Sequence, residues 1–233
     1  MPTHTEGVPA PPFTVLLVCT GNICRSALAE RLGRAYLEEL LAENPGAIRL
    51  VSAGTRAVVG SGMHPDSALV LRGFGAEPGD FRARQLAEGF VREADLILTM
   101  TREHRTEVLG LAPRALARTF TLREAAALLG LVGDDVELTG DGPTDRARRL
   151  VQQMAAARSR RHSDADDDIR DPIGRPVEVH DEVGEAIAEA LLPVLRRLGA
   201  LLSAEDTRPA GPVGPVGRGE SSPVIGNGAS PAS

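Results

Sequence analysis

The chain has 233 residues, a formal net charge of −6, 42% hydrophobic and 3% aromatic residues, no tryptophan and two cysteines, and all 26 of its basic residues are arginine. This length suits one sizeable domain with tails. The acidic balance argues against nucleic acid or an anionic membrane as the main partner, two cysteines are too few for a disulfide scaffold, and neither a signal-peptide hydrophobic region nor a run of about 18 apolar residues marks a membrane span. The expected address is the cytoplasm, where thiols stay reduced.

Residues 1–12 carry four prolines and no periodic pattern and are expected to be a flexible leader. Phe13 to Val18 is a continuous apolar run, expected as a strand. After a turn, Leu28, Leu32, Ala35 and Leu40 recur at helical spacing within Ser26 to Ala42. Ile48 to Ala53 reads as a second strand, and Met63 to Gly73 as a helix opened by Pro65. Ala94 to Met100 is a third buried strand leading into a helix over Arg102 to Leu109. Arg118 to Thr121 is a short fourth strand followed by a helix over Leu122 to Leu129. Residues 130–168 break the rhythm with a Gly/Asp loop, an arginine-rich helical stretch over Thr144 to Arg161 and an acidic run. They are expected as an insertion near the mouth of a site or as a solvated charged helix. Val179 to Leu202 is the last and longest helix. Residues 204–233 are expected to be a disordered tail, since Gly or Pro fill eleven of the 26 positions from Arg208 onward. Strands without alternation, each followed by a helix, indicate an α/β fold with a doubly wound parallel sheet of about four strands over residues 13–203.

The chemistry concentrates after the first strand, in Cys19, Thr20, Gly21, Asn22, Ile23, Cys24, Arg25 and Ser26. In open α/β sheets ligands sit beyond the carboxyl ends of the strands, and a loop entering a helix there aims backbone N–H groups at one point, where an anion belongs. Gly21 is expected to permit an unusual backbone conformation and Asn22 to tolerate left-handed geometry. Arg25 can fold back as a bidentate partner for two oxyanions, and a cysteine facing that positive concavity is favoured as thiolate. Thiolate, N–H cradle and guanidinium make a phosphoryl-transfer site. The bland alternative, a buried cysteine beside a glycine turn, is much rarer with Arg-Ser at this spacing. Ser26 is either the helix N-cap or a partner of the thiol. A leaving group of high pKa needs a proton. Asp171, stiffened by Pro172, is the candidate acid; the competing reading makes it one more member of the run Asp164, Asp166, Asp167 and Asp168.

These residues resemble the low-molecular-weight protein tyrosine phosphatase family of bacterial type. The likeness covers roughly Phe13 to Leu198 and rests on VLLVCTGNICRSALAE, SAGT at Ser52 to Thr55, RARQL at Arg82 to Leu86, ADLILTMTREH at Ala94 to His104 and DPIG at Asp171 to Gly174. It implies a flavodoxin-like fold and a phosphotyrosine phosphatase acting through a cysteinyl phosphate. Catalytic roles fall to Cys19, Arg25 and Asp171, with loop support from Ser52. No metal or organic cofactor is implied, and the partner is a phosphorylated protein. The resemblance also supports use of Cys19 and Cys24 as a reversible oxidation pair; a packing thiol is the other reading of Cys24.

The chain departs from the family at Phe81, where many members have a histidine that braces the loop asparagine, so that support for Asn22 is expected from Ser26 and Ser52. Ala27 replaces a frequent proline, and Ile173 and Gly174 stand where eukaryotic members place aromatic residues. In the related protein arginine phosphatases the position of Ile23 tends to be threonine, so Ile23 favours the phosphotyrosine branch. An arsenate reductase on the same fold would need an external thiol, because no cysteine follows Cys24. A binding module with a dead site would have lost Cys19, Arg25 or Asp171. The five histidines, His4, His64, His104, His162 and His180, share no zinc-ligand spacing. Arg158, Arg160, Arg161 and His162 are expected as a solvated basic face, the sharper alternative being a docking surface for phosphorylated protein.

Overall fold

The computed structural model describes residues 11–44, 46–161 and 165–203. Nearly all of the expected leader and the whole of the expected tail lie outside them. Strands β1 (Phe13–Cys19), β2 (Ile48–Gly54), β3 (Leu96–Thr99) and β4 (Thr119–Thr121) form a parallel sheet in the order β2-β1-β3-β4. The crossovers are α1 (Arg25–Leu40) between β1 and β2, α2 (Pro65–Gly73) and α3 (Glu88–Glu93) before β3, and α4 (Arg102–Leu111) with a 3-10 turn over Pro113–Arg118 before β4. Helices α5 (Leu122–Val132), α6 (Pro143–Ala157) and α7 (Val177–Ser203) follow. This is the flavodoxin-like α/β fold expected, with its topological switch between β1 and β3.

Every residue of β1 is buried, which is why that segment carries no polar alternation. Its side chains divide by parity. Phe13, Val15 and Leu17 join the large core beneath α1, α5, α6 and α7, while Leu16 and Val18 join a smaller cluster with Val91, Val108 and Ala115 on the other face. Gly33 lets α1 close on this sheet, because a Cβ there would stand 2.5 Å from Leu50 Cδ1 and 3.0 Å from Leu195 Cδ1. A capping box at Thr121 and Glu124 starts α5 directly at the end of β4.

The arginine-rich stretch is not a solvated helix. Ala147, Leu150, Val151, Met154 and Ala157 recur on one face of α6 and are buried in the same core as α5 and α7. Nor is Arg158 part of a solvated face: its Nε donates to Glu124 Oε1 at 2.9 Å and its guanidinium lies 4.1 Å from the centroid of the Phe120 ring. Arg161 pairs with Asp167. His162 and Asp164 lie outside the described residues. Among the described residues no helix is long and apolar enough to cross a membrane.

Candidate active site

Beyond the carboxyl end of β1 the chain curls through residues 20–24 before α1 begins, with Cys24 at the N-cap position. The curl has a definite inside and outside. Its carbonyl oxygens are taken by N–H groups of the segment after β2: Thr55 donates to Cys19 O at 2.9 Å, Arg56 to Thr20 O at 3.0 Å, Val58 to Gly21 O at 3.0 Å and His64 to Ile23 O at 2.8 Å. A trans peptide points its N–H opposite to its C=O. The N–H groups of Thr20, Gly21, Asn22 and Cys24 therefore face the opposite side of these peptide planes, where with the start of α1 they form a concavity of the kind that suits an anion. Close approach requires Gly54 at the end of β2, since a Cβ there would fall 2.4 Å from Thr20 O.

Asn22 is the pivot. It is fully buried, its φ is 54°, and it is the one non-glycine residue with positive φ among those described. The left-handed geometry expected of Asn22 is present, while Gly21 is not among the glycines of positive φ, and the Asn22 side chain replaces the steric freedom of glycine with three hydrogen bonds. Asn22 Nδ2 donates to Ser26 Oγ at 2.9 Å and Ser52 Oγ at 2.8 Å, and its Oδ1 accepts from the Arg84 N–H at 2.8 Å. Behind it, Ser52 Oγ donates to Glu30 Oε2 at 2.6 Å, and Glu30, 2% exposed, is also met by Arg84 at 3.0 Å and Arg34 at 2.8 Å. The expected bracing by Ser26 and Ser52 is thus present. Arg84 N–H and Glu30 complete it and are not deducible from local pattern. Phe81 packs with Ala27 and Ala83 beside Ile23 instead of bracing the asparagine.

Cys19 Sγ lies 2.8 Å from Ser26 Oγ. Ser26 is inside the first turn of α1 and not its N-cap, so its hydroxyl is available to the sulfur. Arg25, 4% exposed, is gripped by Ile169 O at 3.0 Å through Nη1 and by Asp171 Oδ2 at 2.5 Å through Nη2. Its Nε is buried without a hydrogen-bond partner. The loop carrying Asp171 is tied down where Ile169 N–H donates to Met100 O at 2.8 Å, at the end of β3. Asp171 Oδ1 accepts from Ile173 N–H at 3.2 Å, and its side chain is 46% exposed. The neighbouring acids are used otherwise: Asp168 accepts from the Arg102 N–H at 2.8 Å, and Asp167 pairs with Arg161. Asp171 is therefore set apart from the acidic run by position.

His104 was indistinct in sequence. It is 3% exposed and bridges Thr101 Oγ1 and Thr20 Oγ1, each at 2.9 Å, so that β3 and α4 also hold the phosphate loop. Burial and the nearby Arg25 charge push it down to about 4, leaving a neutral ring with one donor and one acceptor. Cys24 is a free, buried thiol like Cys19, and burial pushes it up to about 11. His64 and His180 stand beside it, a grouping that sequence spacing did not reveal.

The model of the low molecular weight phosphotyrosine protein phosphatase family matches residues 14–128. "Probable low molecular weight protein-tyrosine-phosphatase EpsP" of Ralstonia solanacearum is 36% identical over 111 residues, which are 48% of this chain and 71% of that protein. Wzb of Escherichia coli K12, a low molecular weight protein-tyrosine-phosphatase, is 39% identical over 99 residues, 42% of this chain and 62% of Wzb. Among solved structures, the YwlE arginine phosphatase from Geobacillus stearothermophilus superposes with a TM-score of 0.54 at 27% identity, covering 82% of this chain and 93% of that one. Sequence similarity and fold agree with the curled loop at the end of β1, and the chain belongs to the low molecular weight protein-tyrosine-phosphatase family.

Proposed function

We propose that the protein hydrolyses phosphotyrosine on protein substrates, with Cys19 as nucleophile, Arg25 and the loop N–H groups as the clamp on the phosphoryl oxygens, and Asp171 as acid and then base. The supporting observation is the meeting of Arg25 and Asp171 at 2.5 Å beside the loop that carries Cys19. Cys19 Sγ attacks phosphorus while the P–O bond to tyrosine breaks and Asp171 delivers its proton to the departing phenol oxygen. Water then attacks the cysteinyl phosphate, Asp171 takes a proton from it, and the S–P bond breaks to release phosphate. Arg25 Nε and the loop N–H groups stabilise the charge that develops on the equatorial oxygens, and Ser26 Oγ stabilises the sulfur as it leaves. Val58 and Ile173, 48% and 49% exposed, offer apolar surface next to the loop and next to Asp171 for an aromatic ring.

The arginine phosphatase among the structural neighbours supports a second reading, phosphoarginine hydrolysis. Ile23, packed beside Phe81, weighs for phosphotyrosine. Turnover of phosphotyrosine, phosphoarginine and phosphoserine peptides in the presence of a chelator, by wild type and Cys19→Ser, separates these readings. Phosphotyrosine turnover abolished by Cys19→Ser is expected; turnover surviving in that variant overturns the assignment.

A further inference from the structure

Next to the phosphate loop three elements bring ligand-type side chains together. Cys24 precedes α1, His64 precedes α2, and His180 lies in the first turns of α7; one ligand atom from each lies within 4.8 Å of the other two. His180 is 1% exposed. Its Nδ1 is held by Ser67 Oγ at 2.9 Å, while its Nε2 is buried without a hydrogen-bond partner, as is His64 Nδ1. Asp66 Oδ2 stands 3.8 Å from that His64 nitrogen and 3.9 Å from that His180 nitrogen. Two imidazole nitrogens without hydrogen-bond partners and a thiol around one point, with a carboxylate against the two rings, match the donor set of a borderline-soft divalent cation. The Ser67 contact does for His180 what an outer-sphere partner does for a metal ligand: with Nδ1–H donated to the hydroxyl, the Nε2 lone pair is presented to the cluster.

We propose that Cys24, His64 and His180, with Asp66 as fourth donor, bind a zinc-class divalent cation beside the phosphate loop. The two rings are stacked, with centroids 4.9 Å apart and planes 16° from parallel, so they do not both aim an in-plane lone pair at one ion as they stand. His64, with its side chain 28% exposed, is the one with room to turn; the fully buried His180 is fixed. Binding converts the Cys24 thiol to a metal thiolate and releases its proton to solvent. An ion here joins α2 and α7 to the loop at the residue preceding Arg25, and it occupies the thiol that would otherwise be free to pair with Cys19.

Cobalt(II) titration of the full chain carrying Cys19→Ser tests the site without the nucleophile. The expected result is one equivalent bound with a thiolate-to-cobalt charge-transfer band and four-coordinate d–d bands, both lost when zinc is added. Cys24→Ala in that background abolishes the charge-transfer band. His64→Ala, at a partly exposed position that does not threaten folding, weakens binding by at least the roughly 10-fold that loss of even an outer-sphere partner costs. Cobalt bound without the charge-transfer band, no binding at all, or binding undiminished by His64→Ala overturns the proposal.

Discussion

Arg25 Nη2 and Asp171 Oδ2 stand 2.5 Å apart across 146 residues of sequence, and in that pair the proposed phosphoryl clamp holds the proposed acid in place. The same guanidinium is anchored by Ile169 O at 3.0 Å, so two of its donors face the Asp171 loop and fix its plane. Substituting Asp171→Asn keeps the loop shape and removes the proton. The kcat on phosphotyrosine peptides is expected to fall by about 10²–10⁴-fold, with a smaller loss on phenyl phosphates whose phenols leave without protonation. Inhibition by inorganic phosphate should be undiminished, because Arg25 is freed and not lost. Steady-state kinetics on a series of leaving groups measures this, and a uniform loss across the series would remove Asp171 from the acid role.

The Ser26 hydroxyl touches Cys19 Sγ at 2.8 Å and accepts from Asn22 at 2.9 Å. Ser26→Ala therefore removes the hydroxyl that would hydrogen-bond the sulfur as it departs as thiolate in the proposed reaction, a contribution of about 1.5–3 kcal/mol, or roughly 10- to 150-fold in rate. Ser52→Ala removes a partner of the same asparagine without touching the sulfur. Its rate loss is expected to be smaller while its loss of thermal stability is comparable. Equal rate losses in the two variants would show that the serine acts only through loop architecture.

How much of this was legible in the residues depends on whether the signal is local. The apolar run of β1, the loop from Cys19 to Ser26 and the alternation of strands with helices each lie within a short window, and the fold class follows from them. The burial of α6 was also encoded, in the spacing of Ala147, Leu150, Val151, Met154 and Ala157, but the arginines between them dominate the composition and mask the stripe. The Glu30, Arg84 and Asn22 network could not be seen, because it joins α1 to a bend before α3 through a backbone N–H that no side-chain pattern announces. His104 and the pair His64 and His180 were hidden for the same reason: their partners lie 84 residues away at Thr20 and 113 residues away from His180 at Ser67.

Glu30 concentrates that network. At 2% exposed it meets Ser52, Arg84 and Arg34, and its removal leaves the Ser52 hydroxyl still accepting from Asn22 but with no acceptor for its own proton. Breaking a fully buried ion pair costs about 3–5 kcal/mol. Arg84 and Arg34 are 37% and 41% exposed, so water screens the loss and the lower end of that range is expected for Glu30→Ala. Denaturant unfolding should show the destabilisation, and the inhibition constant for inorganic phosphate should rise, since Asn22 loses the fixed hydroxyl of Ser52. A variant with wild-type stability would show that Glu30 is dispensable to the loop.

His104 sets the response of the fold to acid. Its ordinary value is 6.5, and burial together with the Arg25 charge lowers it to about 4 in the native state. Between those values the unfolded chain binds a proton that the folded chain refuses, so stability rises with pH across that window. The contribution is fully present above about 6.5, declines as the pH falls towards 4, and changes no further below that. The shift from 6.5 to about 4 sets an upper limit of about 3 kcal/mol. Protonation would place a cation beside Arg25 and leave no lone pair for whichever of Thr20 and Thr101 now donates to the ring. His104→Gln keeps polar atoms near both threonines but does not titrate. Its stability is therefore expected to be lower than wild type at neutral pH and to fall less steeply between pH 6.5 and pH 4, as read from urea midpoints at several pH values. Parallel acid profiles for the two proteins would place the acid sensitivity on other groups.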